Sequence, residues 1–288
     1  MPPAAIRQVR WPKWSDMLQS LSQSDAMKLL IVKLGGSVIT DKRKPFAIKH
    51  TVVKRLAKEL KGVPGPLVIV HGGGSFGHPL ALKYRIADGY REKDQLMGVS
   101  LTHLAMEKLN KYLIEALQKE GIPAIAFQPS ACVLSSDGRI KSMELGPLRR
   151  ILALGLVPVL YGDVVFDVKK GFSILSGDQL VSYLARKLGA TRVVFGVDVD
   201  GVYTSCPKRN DRAELLRVIT PSDVKLVASM EKDETGDVTG GMQAKVRELL
   251  ELAKFGVEAE IVNAARANVL KEALRGKRGL GTIVTGGK

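Results

Sequence analysis

Short apolar runs alternate with longer helical patterns along most of this chain. The runs are rich in Val, Ile and Leu and span residues 28–34, 67–71, 122–127, 157–161, 192–197, 257–262 and 282–285. Helical patterns lie between or beside them, at residues 50–61, 94–120, 144–155, 177–188, 221–229, 241–255 and 267–275. Continuously apolar strands are typical of a mainly parallel sheet that helices cover on both faces. The pattern predicts a doubly wound α/β fold, a three-layer αβα sandwich, preceded by a polar extension at residues 1–26.

The composition excludes several classes of protein. With 45% hydrophobic and 25% charged residues among 288, the chain is predicted to be globular rather than disordered. No apolar run approaches the roughly 20 residues that cross a membrane, and the first residues lack the apolar core of a secretory signal. The two cysteines, Cys132 and Cys206, are too few for a disulfide framework or a zinc cluster. We therefore expect a cytoplasmic protein that binds no membrane.

The net charge of +15 indicates an anionic partner. Nucleic acid is not the expected partner, because aromatic residues make up only 5% of the chain and no recognised nucleic-acid-binding motif is present. A phosphorylated small molecule fits the charge equally well, and the glycine pattern favours it.

Glycine recurs where the predicted strands end. The stretches are Lys33–Ser37 (KLGGS), Gly72–Ser75 (GGGS), Gly162–Asp163, Ser176–Asp178 (SGD), Asp198–Tyr203 (DVDGVY) and Gly240–Lys245 (GGMQAK). Ligands of such sheets gather at the carboxyl ends of the strands, where glycine lets backbone N–H groups approach an anion. None of the stretches has the spacing GxxxxGK[ST] or GxGxxG, which disfavours a Walker ATPase or a Rossmann oxidoreductase.

Four of these motifs carry a family resemblance. KLGGS, HGGG, DVDGVYT and the late TGGM followed by Lys245 resemble the amino acid kinase superfamily. Within it, GGSVITDK and HGGGSFGH are similar to the isopentenyl phosphate kinases over residues 27–288, although fosfomycin-type kinases are similar in the second loop. The resemblance implies transfer of a phosphoryl group from ATP, with Mg²⁺, to isopentenyl phosphate. It also implies an acceptor lobe at residues 27–175, a nucleotide lobe at residues 176–288 and a homodimer.

Two other functions stay open from the sequence. A kinase of the same fold could act on a phosphonate, a nucleotide or an amino acid. A non-catalytic member could sense a metabolite, but the retained Lys33, Lys42 and Lys245 speak against it.

The resemblance assigns three catalytic residues. Lys33 would reach the transferred phosphoryl group, unless it is only a surface lysine at a strand end. Lys42 matches the second catalytic lysine, with Arg43 and Lys44 as alternative carriers of the charge. His78 would donate to the acceptor phosphate as an imidazolium, or else bond to backbone at a helix start. No general base is needed, because the attacking phosphate oxygen is already ionised. Gly73 and Gly177 are the further predicted acceptor-binding residues.

The nucleotide site is likewise assigned by resemblance. Its predicted residues are Lys33, Gly35, Gly36, Ser37, Gly74, Asp198, Tyr203, Lys208, Gly241 and Lys245. Asp198 and Asp200 could hold ribose, base or water-bound Mg²⁺, but Asp200-Gly201 could instead form a hairpin turn. Asp178 is either a partner of Lys33 or a helix N-cap. Asp163 is a further candidate, His71 is expected to shape the glycine loop, and His50 and His103 are expected to be ordinary surface or helix residues. No residue is assigned as a direct metal ligand.

Overall fold

The computed structural model describes residues 29–205, 207, 210–229 and 241–287. The predicted extension at residues 1–26 and the predicted nucleotide-site residue Lys208 lie outside these ranges. Within the described residues, no helix is long and apolar enough to cross a membrane.

An eight-stranded sheet forms the centre of the described part of the chain. In spatial order its strands are β12 (Val218–Ile219), β14 (Thr282–Val284), β13 (Glu258–Asn263), β9 (Arg192–Val197), β1 (Leu30–Leu34), β2 (Leu67–His71), β6 (Val157–Tyr161) and β3 (Ala124–Ala126). Neighbouring strands are parallel except β13 and β14. The predicted mainly parallel α/β sheet is confirmed.

Helices cover both faces of this sheet, because strands such as β1 send apolar side chains to both sides. Ile31 packs into one core, while Leu30, Val32 and Leu34 pack into the other. The first core contains residues of α5 (Gly146–Ala153), α6 (Gly177–Leu188), α7 (Val224–Ser229) and α8 (Gly241–Ala253). The second contains residues of α1 (Gly36–Ile39), α2 (His50–Leu60), α3 (Gly74–Lys83), α4 (Asp94–Lys119) and α9 (Val269–Leu274).

A four-stranded sheet beside the central one was not predicted from the sequence. Its strands are β5 (Arg139–Met143), β4 (Val133–Ser136), β7 (Asp163–Asp167) and β8 (Gly171–Leu175), in that order. Asp167 accepts N–H bonds from the β4–β5 turn, at Asp137 and Gly138, and from the β7–β8 turn. Burial alone would raise the pKa of Asp167, but these donors outweigh it and hold the pKa well below its usual value. One carboxylate therefore locks both turns of the sheet.

Outside the central sheet lies the two-stranded sheet of β10 (Val202–Tyr203) and β11 (Leu215–Leu216), and 3₁₀ turns span Ile86–Asp88, Pro129–Ala131 and Pro221–Asp223. Strands of the first half of the chain (β1, β2, β3, β6) occupy one side of the central sheet, and those of the second half (β9, β12, β13, β14) occupy the other. The border between β9 and β1 therefore places residues from both halves at one edge.

Candidate functional site

The glycine stretches meet at the carboxyl edge of the central strands β9, β1, β2 and β6. Gly35, which follows β1, donates its N–H to the Gly196 carbonyl of β9 over 2.8 Å. Gly72, which follows β2, donates to the Leu34 carbonyl over 3.0 Å, and Gly162 donates to the His71 carbonyl over 3.1 Å. These bonds continue the strand pairing into the loops. The sequence prediction that strand-end glycines share one edge is therefore confirmed by the strand register.

The first two loops touch through their backbones. A Cβ on Gly36 would overlap the backbone of Gly74, and a Cβ on Gly72 would lie 2.8 Å from the Gly36 nitrogen. Gly74 also has a φ of +49°, in the left-handed region that favours glycine. The structure thus brings together Gly35, Gly36, Gly73 and Gly74. Any side chain at Gly36 or Gly74 would separate the two loops.

A cluster of three buried charged side chains lies beside these loops. Lys33 at the end of β1 is 7% exposed, Asp178 in the first turn of α6 is 4% exposed, and Lys245 in α8 is 8% exposed. Lys33 is ion-paired with Asp178, and the Lys245 Nζ lies 2.9 and 3.1 Å from the two Asp178 carboxylate oxygens. Buried lysines at this degree of exposure are rare unless paired. Lys33 is therefore not a surface lysine at a strand end.

The backbone around Asp178 explains how Lys33 reaches it. A Cβ on Gly177 would lie 3.1 Å from the Lys33 Cε and 3.4 Å from the His71 carbonyl oxygen, so glycine leaves the path of the lysine open. The N-cap of α6 is Ser176, whose hydroxyl accepts the Gln179 N–H over 3.1 Å. Asp178 is therefore a partner of Lys33 and not the helix cap.

The charge of this cluster follows from its geometry. Burial alone would raise the pKa of Asp178, but the ammonium groups of Lys245 and Lys33 outweigh burial and lower it to about 2. Asp178 is therefore ionised near neutral pH and is only a weak base there. Two lysines and one carboxylate leave one positive charge in excess at the edge of the sheet. An arrangement of this kind attracts phosphate oxygens.

A cavity of about 260 Å³ borders Asp178. Its wall includes Arg139 of β5 and Glu248 of α8, which form an ion pair. Gln179 accepts the Ile140 N–H over 2.7 Å and donates to the Gly138 carbonyl over 3.0 Å. The four-stranded sheet is thereby fixed to α6 and α8 on one side of the cavity.

His78 lies in α3 beside the second glycine loop. It is half-buried, and a Cβ on Gly73 would lie 3.4 Å from its Cδ2 and 3.2 Å from the Met106 Sδ of α4. The imidazole therefore lies next to the glycine that the resemblance assigns to the acceptor site.

Lys42 lies exposed in the turn after α1, where its neighbour Asp41 is ion-paired with Arg43.

His71 is more deeply buried than His78. It is fully buried, stacks on Tyr161 with ring centroids 5.5 Å apart, and its Nδ1 lies 3.1 Å from the Gly72 carbonyl. Burial lowers its pKa to about 4, so the ring is neutral near pH 7 and donates through Nδ1. This contact fixes the first peptide of the glycine loop.

Two of the predicted nucleotide-binding residues lie in the loops that follow β1 and β9. The Ser37 hydroxyl donates to Asp198 over 3.0 Å, which links the loop after β1 to the loop after β9. Asp200 accepts from Asn263 over 2.9 Å and from Arg266 over 2.8 Å. Because β10 pairs with β11, Asp200-Gly201 does not turn a hairpin between β9 and β10. Tyr203 lies in β10, and Gly241, with a φ of +61°, starts the described part of α8.

His103 was expected to be an ordinary helix residue, but it belongs to a polar cluster. Its Nδ1 lies 3.0 and 3.1 Å from the two carboxylate oxygens of buried Asp163, and its Nε2 lies 3.3 Å from Gln128 and 3.5 Å from Glu107. The hydrogen bond that His103 donates to Asp163 raises the pKa of His103, while burial raises the pKa of Asp163. No sequence signal joins these residues, because His103 and Asp163 are 60 positions apart.

This pair gives a pH-dependent expectation. The pKa of His103 is raised in the folded chain, so its stabilising contribution is complete below about pH 6.5 and is lost as the pH rises through the folded pKa. We expect His103→Gln to lower the free energy of unfolding more at about pH 6 than at about pH 9. Urea denaturation of both proteins at the two pH values measures it, with exposed His50→Gln as the control. An equal loss at both values would contradict the pairing.

No group of three or more His, Cys, Asp or Glu side chains suited to a metal occurs in the described ranges. Mg²⁺ bound with ATP takes most of its ligands from phosphate oxygens and water, with one or two carboxylates at most. Exposed Asp198, which accepts a hydrogen bond from Ser37 between the ends of β1 and β9, suits that role. The residues present therefore fit a magnesium ion that arrives with its nucleotide.

Known proteins resemble this chain over most of its length. The model of the amino acid kinase family matches residues 28–263. The isopentenyl phosphate kinase of Methanothermobacter thermautotrophicus is 45% identical over 267 residues, which cover 90% of this chain and 99% of that protein. The enzyme of the same name from Methanocaldococcus jannaschii is 35% identical over 260 residues, covering 86% and 96%.

A solved structure supports the same relationship. A crystal structure of an isopentenyl phosphate kinase superposes with a TM-score of 0.79 at 43% identity, and covers 89% of this chain and 100% of that one. The fold, the match to the family model and these sequence identities all indicate the same family. The chain belongs to the amino acid kinase family and, within it, to the isopentenyl phosphate kinases.

Proposed function

We propose that this chain transfers the γ-phosphoryl group of ATP to the phosphate of isopentenyl phosphate, giving isopentenyl diphosphate and ADP. The observation that carries the proposal is the burial of two ammonium groups, Lys33 and Lys245, against one carboxylate beside two touching glycine loops. Family membership narrows the acceptor to isopentenyl phosphate.

The reaction depends more on neutralising the negative charge of the phosphates than on proton transfer. An oxygen of the acceptor phosphate bonds to the γ-phosphorus while the bond from that phosphorus to the bridging oxygen of ADP breaks. Negative oxygens of both substrates crowd together in this transition state, so catalysis is mainly electrostatic. Lys33 and Lys245 supply fixed positive charge. Asp178 orients both ammonium groups, because it is paired with each of them, and its lowered pKa makes it a weak base.

The acceptor end is built from α3 and the start of α6. Gly73 and Gly177 let the acceptor phosphate approach the backbone, and His78 donates to that phosphate as an imidazolium. The pKa of an imidazole rises beside a phosphate dianion, which favours the charged form. Lys42 would complete the positive surroundings of the phosphates from the turn after α1.

His78→Ala is expected to lower kcat/KM for isopentenyl phosphate at least about tenfold, or about 1.4 kcal/mol, because the acceptor phosphate loses a charged donor. The KM for ATP should change little. Steady-state kinetics with each substrate varied in turn measure both constants. His50→Ala, an exposed histidine at the start of α2, is the matched control. An unchanged rate at low isopentenyl phosphate would remove His78 from the site.

The nucleotide end would use the loops after β1 and β9 and the start of α8. Ser37, Asp198, Tyr203 and Gly241 are the residues proposed to hold ATP there, together with Lys208. Lys245 lies one turn into α8, so its ammonium can return toward phosphates near the start of that helix. Mg²⁺ would neutralise charge on the ATP phosphates when bound, with Asp198 as its carboxylate contact through water.

The two halves of the chain take different substrates in this proposal, except that the loop after β1 also contacts the ATP phosphates. Residues 27–175 form the acceptor lobe and residues 176–288 the nucleotide lobe, which meet where β9 borders β1.

We also propose a homodimer. Support comes from one side of α4, where the large side chains of Met97, Leu104 and Tyr112 are exposed. Light scattering during size-exclusion chromatography would distinguish a dimer from a monomer.

A coupled ADP-release assay with Mg²⁺-ATP tests the function. The acceptors would be isopentenyl phosphate, dimethylallyl phosphate, fosfomycin, UMP and N-acetylglutamate. The highest kcat/KM is expected for isopentenyl phosphate. A preference for UMP or an amino acid would contradict the proposal, and ATP binding without turnover of any acceptor would indicate a sensor.

A further inference from the structure

The two glycine loops are held at a fixed separation by a side chain to which no role has been given. Gly36 of the first loop and Gly74 of the second meet backbone to backbone. Contact alone prevents them from coming closer, but it does not prevent them from moving apart. Something must therefore tie the loops together.

Thr40 makes that tie. It follows α1 and is fully buried. Its hydroxyl donates to the Gly36 carbonyl over 2.7 Å and accepts the Ser75 N–H over 3.0 Å. One hydroxyl group thereby bonds to the backbone of both loops, across 35 positions of the chain. Its Oγ1 fills the place that a Cβ on Gly74 would occupy, so the hydroxyl at position 40 requires glycine at position 74.

The Ser75 side chain extends the tie to the segment that carries Lys42. Its hydroxyl donates to the Ala47 carbonyl and accepts the Ala47 N–H, both over 3.3 Å. The Ser75 carbonyl accepts the Phe46 N–H over 3.1 Å, and the Phe46 ring packs edge-on against Phe76. Thr40 and Ser75 therefore join the first loop, the second loop and the 41–47 turn into one unit.

We propose that Thr40 is a positioning residue that sets the distance between the donor and acceptor phosphates. The inference rests on the proposed function, in which Gly35, Gly36 and Ser37 of the first loop hold ATP phosphates, and Gly73 and the adjacent His78 hold the acceptor. Each loop would keep its own substrate if the hydroxyl were lost, because each has separate strand-end bonds. The alignment of the two phosphates would suffer, and small misplacements of reacting atoms reduce rates strongly.

Thr40→Val removes the hydroxyl and keeps the shape of the side chain. We expect the single-turnover rate of phosphoryl transfer to fall by about 10- to 100-fold, with the KM values of ATP and isopentenyl phosphate within about threefold of the wild type. Thr40→Ser restores the hydroxyl, and its rate should return to within about threefold of the wild type.

Thr282→Val is the matched control for a purely structural effect. Thr282 is also fully buried, and its hydroxyl donates to the Leu216 carbonyl over 2.6 Å and accepts the Val202 N–H over 2.8 Å. Both Val variants should lower the melting temperature, but only Thr40→Val should slow transfer. If Thr40→Val does not fold, Thr40→Ala takes its place with the same expectation.

Two results would overturn the inference. One is a Thr40→Val rate equal to that of Thr282→Val. The other is a Thr40→Ser rate as low as that of Thr40→Val. A wild-type chain that fails to turn over isopentenyl phosphate would instead contradict the proposed function, so the two failures are separable. In that case the Thr40 series would be repeated with whichever acceptor the wild type prefers.

Discussion

Lys33→Met is expected to reduce kcat by about 10²- to 10³-fold, the largest effect of any single charge removal in this site. Lys33 is buried at the end of β1 and shares Asp178 with Lys245. In such a water-poor place, a fixed charge stabilises developing negative charge far more than it would in water. Methionine keeps most of the length of the side chain and removes the ammonium group, with its charge and its N–H donors.

The fold should survive this substitution, because Asp178 keeps Lys245 as a partner at 2.9 and 3.1 Å. Steady-state kinetics with both substrates saturating measure the effect on kcat, and thermal melting checks the fold. Lys61→Met, an exposed lysine after α2, is the matched control and should match the wild type. Retention of kcat within about tenfold of the wild type would show that Lys33 does not act on the transferred group.

Gly36→Ala is expected to lower kcat by about 100-fold or more. The cause is a steric clash and not the loss of a charge. The added Cβ would overlap the backbone nitrogen and Cα of Gly74, so the two loops must separate. Backbone atoms cannot rotate away as a flexible side chain can. The substrates bound to the two loops would then be too far apart for in-line transfer.

Gly155→Ala separates this effect from ordinary glycine strain. Gly155 has a φ of +76° with nothing within 4 Å of an added Cβ, so alanine there costs about 1 kcal/mol of stability without moving the site. We expect Gly155→Ala to lower the melting temperature and leave kcat unchanged. A Gly36→Ala protein with wild-type kcat would mean that the two loops do not have to touch.

The architecture could be predicted from the sequence because its strands are continuously apolar. The runs at 67–71, 157–161 and 192–197 coincide with β2, β6 and β9. The four-stranded sheet was missed, since β5 reads RIKSM and lies partly exposed, without the apolar pattern of a buried strand. Helix α3 was also missed, because its sequence contains Gly77 and Pro79 and packing against α4 supports it.

From the sequence, the site could be predicted only where the order of strands along the chain determines which residues meet. Parallel pairing of β1 and β2 brings Gly35 and Gly72, which follow these strands, to the same edge of the sheet. The meeting of Lys245 with Asp178, and of His103 with Asp163, depends on how α8 and α4 pack, which no local pattern encodes. The double role of the Thr40 hydroxyl is hidden for the same reason, since Ser75 lies on another loop.

Phosphorus NMR of one reaction mixture tests the central claim most directly. The full chain would be incubated with Mg²⁺-ATP and isopentenyl phosphate, and the ³¹P spectrum followed over time. The account predicts that the monophosphate signal of isopentenyl phosphate disappears while the coupled signals of its diphosphate and of ADP grow together. Release of inorganic phosphate from ATP while isopentenyl phosphate stays unchanged would contradict it.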